Sequence, residues 1–158
     1  MSPVVIEELR WWHITELLPI EADLFGAEQW SAAMFWNELA QGHYYRVAVE
    51  DSQVLGYAGL AVAASDEATV QNIAVRRDRQ RQGVGDALLV DLLTEADRRS
   101  VTRVFLEVAV DNHPAQRLYR RHGFTPAGLR RGYYQPSNID ALTMIRRSTK
   151  IRRRADRP

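Results

Sequence analysis

Residues 72–96 constrain the fold more tightly than any other stretch of this chain. The run Asn72-Ile73-Ala74-Val75 leads through the charged segment Arg76 to Gln82 into Gly83-Val84-Gly85. An apolar stripe follows at Leu88, Leu89, Leu92, Leu93 and Ala96. That stripe has the i, i+3, i+4 spacing of an amphipathic helix, and the run before it has the length and composition of a strand. Val104 to Val110, short and largely apolar, suits a buried central strand. Together they predict a βαβ crossover joining Thr69–Val75 to Val104–Val110.

The other elements flank that unit. Val4 to Leu9 reads as a strand, and His13 to Phe25 has helical apolar spacing with Pro19 bending or restarting the helix. Ser31 is placed as the N-cap of a helix that turns Met34, Phe35 and Leu39 to the core and Glu38 outward. Tyr45–Val49 and Val54–Ala63 are strands around the turn at residues 50–53, and Thr69–Val75 is a third. His113–Arg121 is a helix with Pro114 in its first turn and Gly123 just past its end. Thr125–Tyr133 and Ala141–Ile145 are the last strands. The class is α/β with a mixed sheet, and 158 residues fit one domain. That domain is assigned to residues 1–147. Residues 148–158 are polar and basic without an apolar period, and are expected to form a disordered tail.

Composition excludes several chemistries. There is no cysteine, hence no disulfide framework, thiolate metal site or thiol nucleophile. His13, His43, His113 and His122 are too scattered for a metal cluster and read as surface or turn residues. No metal is expected. Most aromatics, the tryptophans included, read as core, Trp30 excepted. No run approaches a membrane span and the N-terminus lacks an export pattern, so no membrane is expected and the cytoplasm fits. Residues 1–75 carry two basic and eleven acidic side chains, and residues 76–158 nineteen basic and nine acidic ones. Net charges of −9 and +10 in the two parts point to two different partners.

One partner is an anion. The first N–H groups of a helix lack internal acceptors and carry the positive end of its dipole, so the start at Gly83-Val84-Gly85 suits phosphate. Arg76, Arg77, Arg79 and Arg81 would add charge. The loop is neither a GK[ST] phosphate loop nor a GxGxxG fingerprint, since position 88 is Leu88. By itself it is equally a glycine turn that starts a helix.

Several motifs in one order decide between these readings. The segments NIAV, QRQGVGDALL and FLEVAVDNHPAQRLYRRHGF resemble the GNAT superfamily of acetyltransferases, and the resemblance runs from Val4 to Arg147. Gln29-Trp30-Ser31, Asp66-Glu67-Ala68-Thr69, Leu106-Glu107-Val108, Arg130-Arg131-Gly132-Tyr133-Tyr134 and Asp140-Ala141 are most similar to the RimI-type ribosomal-protein N-terminal alanine acetyltransferases. The resemblance implies a single-domain, mostly antiparallel central sheet with helices on both faces, and acetyl-CoA as cosubstrate. It implies that the backbone of Ile73, Ala74 and Val75 holds the pantetheine arm and acetyl carbonyl. Arg81, Gln82, Gly83, Val84, Gly85 and Asp86 would hold the pyrophosphate, and Asn112 would touch the pantetheine. Asp86 stands where relatives often carry a basic residue, so its N–H rather than its carboxylate is expected to serve.

Glu107 lies mid-strand in an apolar run, where a partly withdrawn carboxylate suits a general base. A carboxylate satisfied by a backbone N–H is the competing role, and the resemblance favours the base. The resemblance also sets the Tyr119 hydroxyl near the coenzyme sulfur, as a donor to the leaving thiolate. Tyr133 and Tyr134 are similar to the aromatic wall that holds the first residues of an acceptor peptide, and Trp30 precedes the helix that should line the acceptor cleft. The expected partner is a protein or peptide N-terminus, ribosomal in the RimI-type case. A small amine, a lysine, or a non-catalytic coenzyme-binding or ribosome-associated module are the alternatives. The Arg152-Arg153-Arg154 tail has no RNA-binding aromatic motif beside it and reads as solvated. Oligomeric state is not legible.

Overall fold

A computed structural model of the chain describes residues 2–64 and 66–148. All but Ser148 of the expected tail lies outside the described residues. The strands are β1 (Val5–Glu8), β2 (Tyr44–Glu50), β3 (Gln53–Ala64), β4 (Glu67–Val75), β5 (Arg103–Ala109), β6 (Thr125–Tyr134) and β7 (Ile139–Arg147). The helices are α1 (Ile14–Phe25), α2 (Ala32–Ala40), α3 (Val84–Arg98) and α4 (His113–Arg121). The strands form one seven-stranded sheet in the order β1-β2-β3-β4-β5-β7-β6. Only β4 and β5 run parallel, joined by α3 as the crossover requires; the other neighbours are antiparallel.

The parallel pair is short. Glu67, Ala68 and Thr69 pair with Arg103, Val104 and Phe105, and no further residues of the two strands pair with each other. On the other side of β4, Leu60 pairs with Val70 and Gly59 with Asn72, which leaves Gln71 as a bulge just past the last β4–β5 pair. A bulge bends its strand and raises the local twist. Beyond it β4 and β5 are no longer joined, and a cleft opens between Asn72–Val75 and Leu106–Ala109.

Each sheet face has its own core. The α3 stripe buries Leu88, Leu89, Leu92 and Ala96 against Leu55, Leu60, Val104 and Leu106. On the other face Leu17 and Ile20 of α1 and Phe35 of α2 pack on Tyr45, Val47 and Tyr57. Fully burying one such leucine contributes roughly 1.5–3 kcal/mol, so the two cores carry the fold. The α1-side core holds a buried polar group, Glu21 on α1. Its carboxylate accepts from the Tyr57 hydroxyl, from Asn72 Nδ2 at 3.3 Å and from the Trp30 backbone N–H at 3.0 Å. Asn72 also donates to the Tyr57 hydroxyl at 2.7 Å. Burial pushes the Glu21 carboxyl up, against the pull of those bonds.

Four expectations are corrected. α1 runs through Pro19 without a restart. Trp11, Trp12 and Trp36 are 59%, 55% and 51% exposed rather than core. Trp11 and Trp36 stack at 6.4 Å instead. On α2 the inward face centres on Phe35, so Met34, 100° around the helix, is exposed. Glu38, at i+3 from Phe35, turns inward and accepts from the Tyr45 hydroxyl at 3.2 Å. His13 is buried, and its Nδ1 accepts the Arg10 N–H at 2.8 Å.

Tyr57→Phe removes one hydroxyl from the Glu21 network and leaves the buried Glu21 and the half-buried Asn72 each short of a partner. It should cost about 1–3 kcal/mol in urea denaturation, with the m-value unchanged.

Candidate active site

The coenzyme side begins where β4 ends. Ala74 and Val75 are buried, and Gln80 Nε2 donates to the Val75 carbonyl at 3.0 Å, which holds the loop against the strand. Arg81 and Gly83 both have left-handed backbone, at φ 62° and 83°. These turns aim the chain into α3, whose N-cap is Gly83. No side chain caps the helix. A Cβ at Gly83 would meet nothing within 4 Å, so the space over the first N–H groups is open. The first intrahelical bond is Ala87 N–H to the Gly83 carbonyl at 3.0 Å, which leaves the N–H groups of residues 84–86 without helical partners. An uncapped helix start under open space fits a phosphate.

The charge around it is less than the sequence implies. Arg76 pairs with Asp78 at 2.6 Å, Arg77 with Asp23 at 3.1 Å, and Arg79 with Glu50. These arginines brace the loop to itself, to α1 and to the β2–β3 turn. Arg81 is exposed and has no ion pair among the described residues. Asp86 turns away from the helix start: its carboxylate bonds His122 Nε2 at 2.8 Å and Arg121 Nη2 at 3.1 Å. Those partners, His122 first, hold its carboxyl below the usual range. Asn112 is the N-cap of α4, its Oδ1 accepting the Ala115 N–H at 3.3 Å, so only its amide NH₂ is uncommitted.

Glu107 lies on β5 past the last β4–β5 pair, at the cleft. Its side chain is 16% exposed. Oε2 accepts from the Thr143 hydroxyl at 2.6 Å, and Thr143 is its cross-strand partner on β7. Oε1 faces Arg130 Nε on β6 at 3.2 Å. Leu106 and Val108 point into the α3-side core, so Glu107 faces the opposite side of the sheet. Tyr119 belongs to the α3-side core, edge-on to Phe124 at 5.9 Å. Base and phenol thus belong to opposite faces. Burial pushes the Tyr119 phenol up to about 12.

Tyr133 and Tyr134 stand at the end of β6. Arg130 pairs with Ala141 and Tyr134 with Ile139, so residues 131–133 oppose Asp140 alone and the strand is bulged. Asp140 Oδ1 accepts the Gly132 N–H at 2.8 Å and fixes the bulge. It re-aims both rings, which meet edge-on at 5.0 Å. The Tyr134 hydroxyl donates to the Glu107 carbonyl at 3.3 Å, and Tyr134 lies in electrostatic reach of Tyr119, Glu107 and Glu28. Burial pushes the Tyr134 phenol well up. Across from it, Glu28 accepts from the Ser137 hydroxyl and from its N–H at 3.3 Å, tying the α1–α2 connection to the β6–β7 turn. Trp30 does not face an open cleft; it packs on Phe35 at 5.4 Å and Tyr45 at 6.4 Å, and its backbone is held by Glu21.

Tyr134 thus stands against Glu107 and within electrostatic reach of Tyr119, while Gly83 to Asp86 form a separate cradle. Sequence reasoning missed Thr143, Arg130 and Glu28 as neighbours of the site. Thr143 had a faint signal, a hydroxyl between Leu142 and Met144 in a strand; the Glu28–Ser137 contact, across 109 residues, had none. Among the described residues no group of side chains could hold a metal ion, and no helix is long and apolar enough to cross a membrane.

Residues 6–124 match the model of the Acetyltransferase (GNAT) family. The N-alpha-acetyltransferase RimI of Mycobacterium tuberculosis is 40% identical, covering 93% of this chain and 94% of its own length. The ribosomal protein bS18-alanine N-acetyltransferase of Escherichia coli is 37% identical over 73% of this chain and 78% of its own. A crystal structure of the Escherichia coli ribosomal-protein-S18-alanine N-acetyltransferase superposes with a TM-score of 0.85 at 30% identity, covering 96% of this chain and 98% of the other.

Asp86→Asn should loosen the α3–α4 strut. Because the Asp86 carboxyl is depressed in the folded chain, its stabilisation is present above the unfolded value near 3.8 and lost as pH falls through the lower folded value. For a pair this exposed the loss at pH 7 should be small, ~0.5 kcal/mol, and should vanish in acid when melting is followed against pH.

Proposed function

The chain belongs to the acetyltransferase (GNAT) family, and we propose that it moves the acetyl group of acetyl-CoA to the α-amine of a protein N-terminus, with the N-terminal alanine of a ribosomal protein as substrate. The names of the two relatives support that choice. The observation that carries it is the joining of the tyrosine wall to the base: the Tyr134 hydroxyl rests on the Glu107 carbonyl, and a bulge fixed by Asp140 sets both rings.

Acetyl-CoA supplies an acyl thioester when bound. Its phosphates would lie on the N–H groups of Gln82 to Asp86 with Arg81 beside them, its pantetheine along Ile73, Ala74 and Val75 and by the Asn112 amide. An α-ammonium has a pKa near 8 against ~10.4 for lysine, so the neutral α-amine is about hundreds of times more available at pH 7. That suits a single carboxylate base. Glu107 takes the amine proton, directly or through water, while Thr143 holds the carboxylate in place. The new C–N bond forms as the C–S bond breaks. Tyr119 donates a hydrogen bond to the departing sulfur. With the phenol at about 12 and a free thiol near 8.5, complete transfer of its proton to sulfur is uphill by about 5 kcal/mol, so Tyr119 stabilises rather than protonates. Tyr133 and Tyr134 close over the first peptide residues. Trp30, packed beneath the α1–α2 connection, supports that wall from the other side.

Glu107→Gln keeps shape and removes the proton acceptor. Turnover should fall by ~10²-fold or more while coenzyme affinity, measured by calorimetry, stays near wild type. An unimpaired rate would assign the proton to another group.

Acceptor choice is tested by mass spectrometry on a basic peptide starting with alanine. The free peptide should be acetylated at its terminus alone, and the same peptide with a blocked terminus and free lysines should not react. Acetylation of those lysines at an equal rate would make the protein a lysine acetyltransferase. Reaction with small amines but no peptide would assign it to that class.

A further inference from the structure

Arg130 stands on the base. Its Nε lies 3.2 Å from Glu107 Oε1, and its guanidinium carbon lies 5.6 Å from the centre of the Tyr133 ring. One exposed side chain thus touches both the proposed proton acceptor and the proposed peptide wall. The other carboxylate oxygen is taken by Thr143. Oε1 is therefore the oxygen left for an incoming amine, and in the free protein a cation holds it. The ionisable groups in electrostatic reach of the neighbouring Tyr134 are Tyr133, Tyr119, Glu107 and Glu28. None of them supplies a second cation.

A guanidinium cannot lose its proton in a protein, so the Glu107–Arg130 pair is a resting state in which the carboxylate has nothing to deprotonate. An acceptor at neutral pH arrives mostly as an α-ammonium. It brings the same charge, in a smaller group that can give up a proton. The geometry points to Arg130 as a resident stand-in for the acceptor's ammonium: it occupies Glu107 until the N-terminus of the peptide displaces it, one cation exchanged for another. Arg130 is 60% exposed, so it has room to swing off Glu107 while staying on the face of Tyr133. Its role is positioning and selective rather than catalytic. A neutral or blocked terminus offers no cation to exchange and leaves the pair closed.

The inference rests on Glu107 being the acceptor-binding base, and the test separates the two. Calorimetry with coenzyme A present compares a basic peptide with a free N-terminal alanine against the same peptide N-acetylated. Arg130→Gln should tighten the free peptide about twofold to fivefold, the size of an exposed ion pair removed from competition. The acetylated peptide should bind as in wild type. KM for the peptide should fall with kcat held. Arg130→Lys, which keeps a cation, should return affinity toward wild type. In a Glu107→Gln background there is no anion to occupy, and Arg130→Gln should add nothing. Unchanged or weaker binding of the free peptide by Arg130→Gln would overturn the exchange, as would equal gains for both peptides. Normal turnover by Glu107→Gln alone would overturn the base assignment and leave the binding result to stand on its own.

Discussion

Three residue pairs hold β4 to β5, and the proposed base lies just past where they stop. A parallel pair that continued would satisfy its backbone groups internally and close the sheet. Here the bulge at Gln71 turns β4 aside, and the chain must spend the length of α3 to return at β5. The same departure creates the cleft and delivers the start of α3 to its mouth. The parting is held open from both faces by packing. Leu88 and Leu92 sit beneath it on one side, and the Glu21–Tyr57–Asn72 group anchors β4 to α1 on the other.

Glu107 and Tyr119 belong to opposite sides of the sheet, and Tyr134 lies in electrostatic reach of each. Side chains from opposite faces of a closed sheet are separated by the sheet itself. Tyr134, whose hydroxyl bonds the Glu107 carbonyl, is the residue that feels both. The division of labour follows from environment. Glu107 keeps an outlet to solvent, a hydrogen bond from Thr143 and an ion pair with Arg130. Tyr119 is buried and keeps its proton. The proposed base and the proposed donor are thereby distinguished by where they stand rather than by what they are.

Local pattern was readable from the residues. The α3 stripe, the glycine-opened turn, the cap at Ser31 and the left-handed Gly123 are all as the spacing requires. What the sequence hid is what depends on tertiary direction. Trp36 and Phe35 are chain neighbours of similar character, and only the tilt of α2 decides which is buried. The four loop arginines looked like one positive patch, yet three of them find carboxylates, two of these on distant elements, Asp23 and Glu50. Asp86 looked like an intruder beside a phosphate, and His122 and Arg121 explain where its charge goes. The proposed base, Glu107, was legible as a residue, but its surroundings were not, since Thr143 and Arg130 reach it from strands 36 and 23 positions further on.

The contact between Glu28 and Ser137 joins the two acceptor-side loops to each other, whereas the loop before α3 is braced by Asp23 and Glu50. The two recognition surfaces are thus fastened by different side chains. On the proposed reading, changes in residues 26–31 and 131–138 would alter the acceptor side while the loop before α3 kept its own braces.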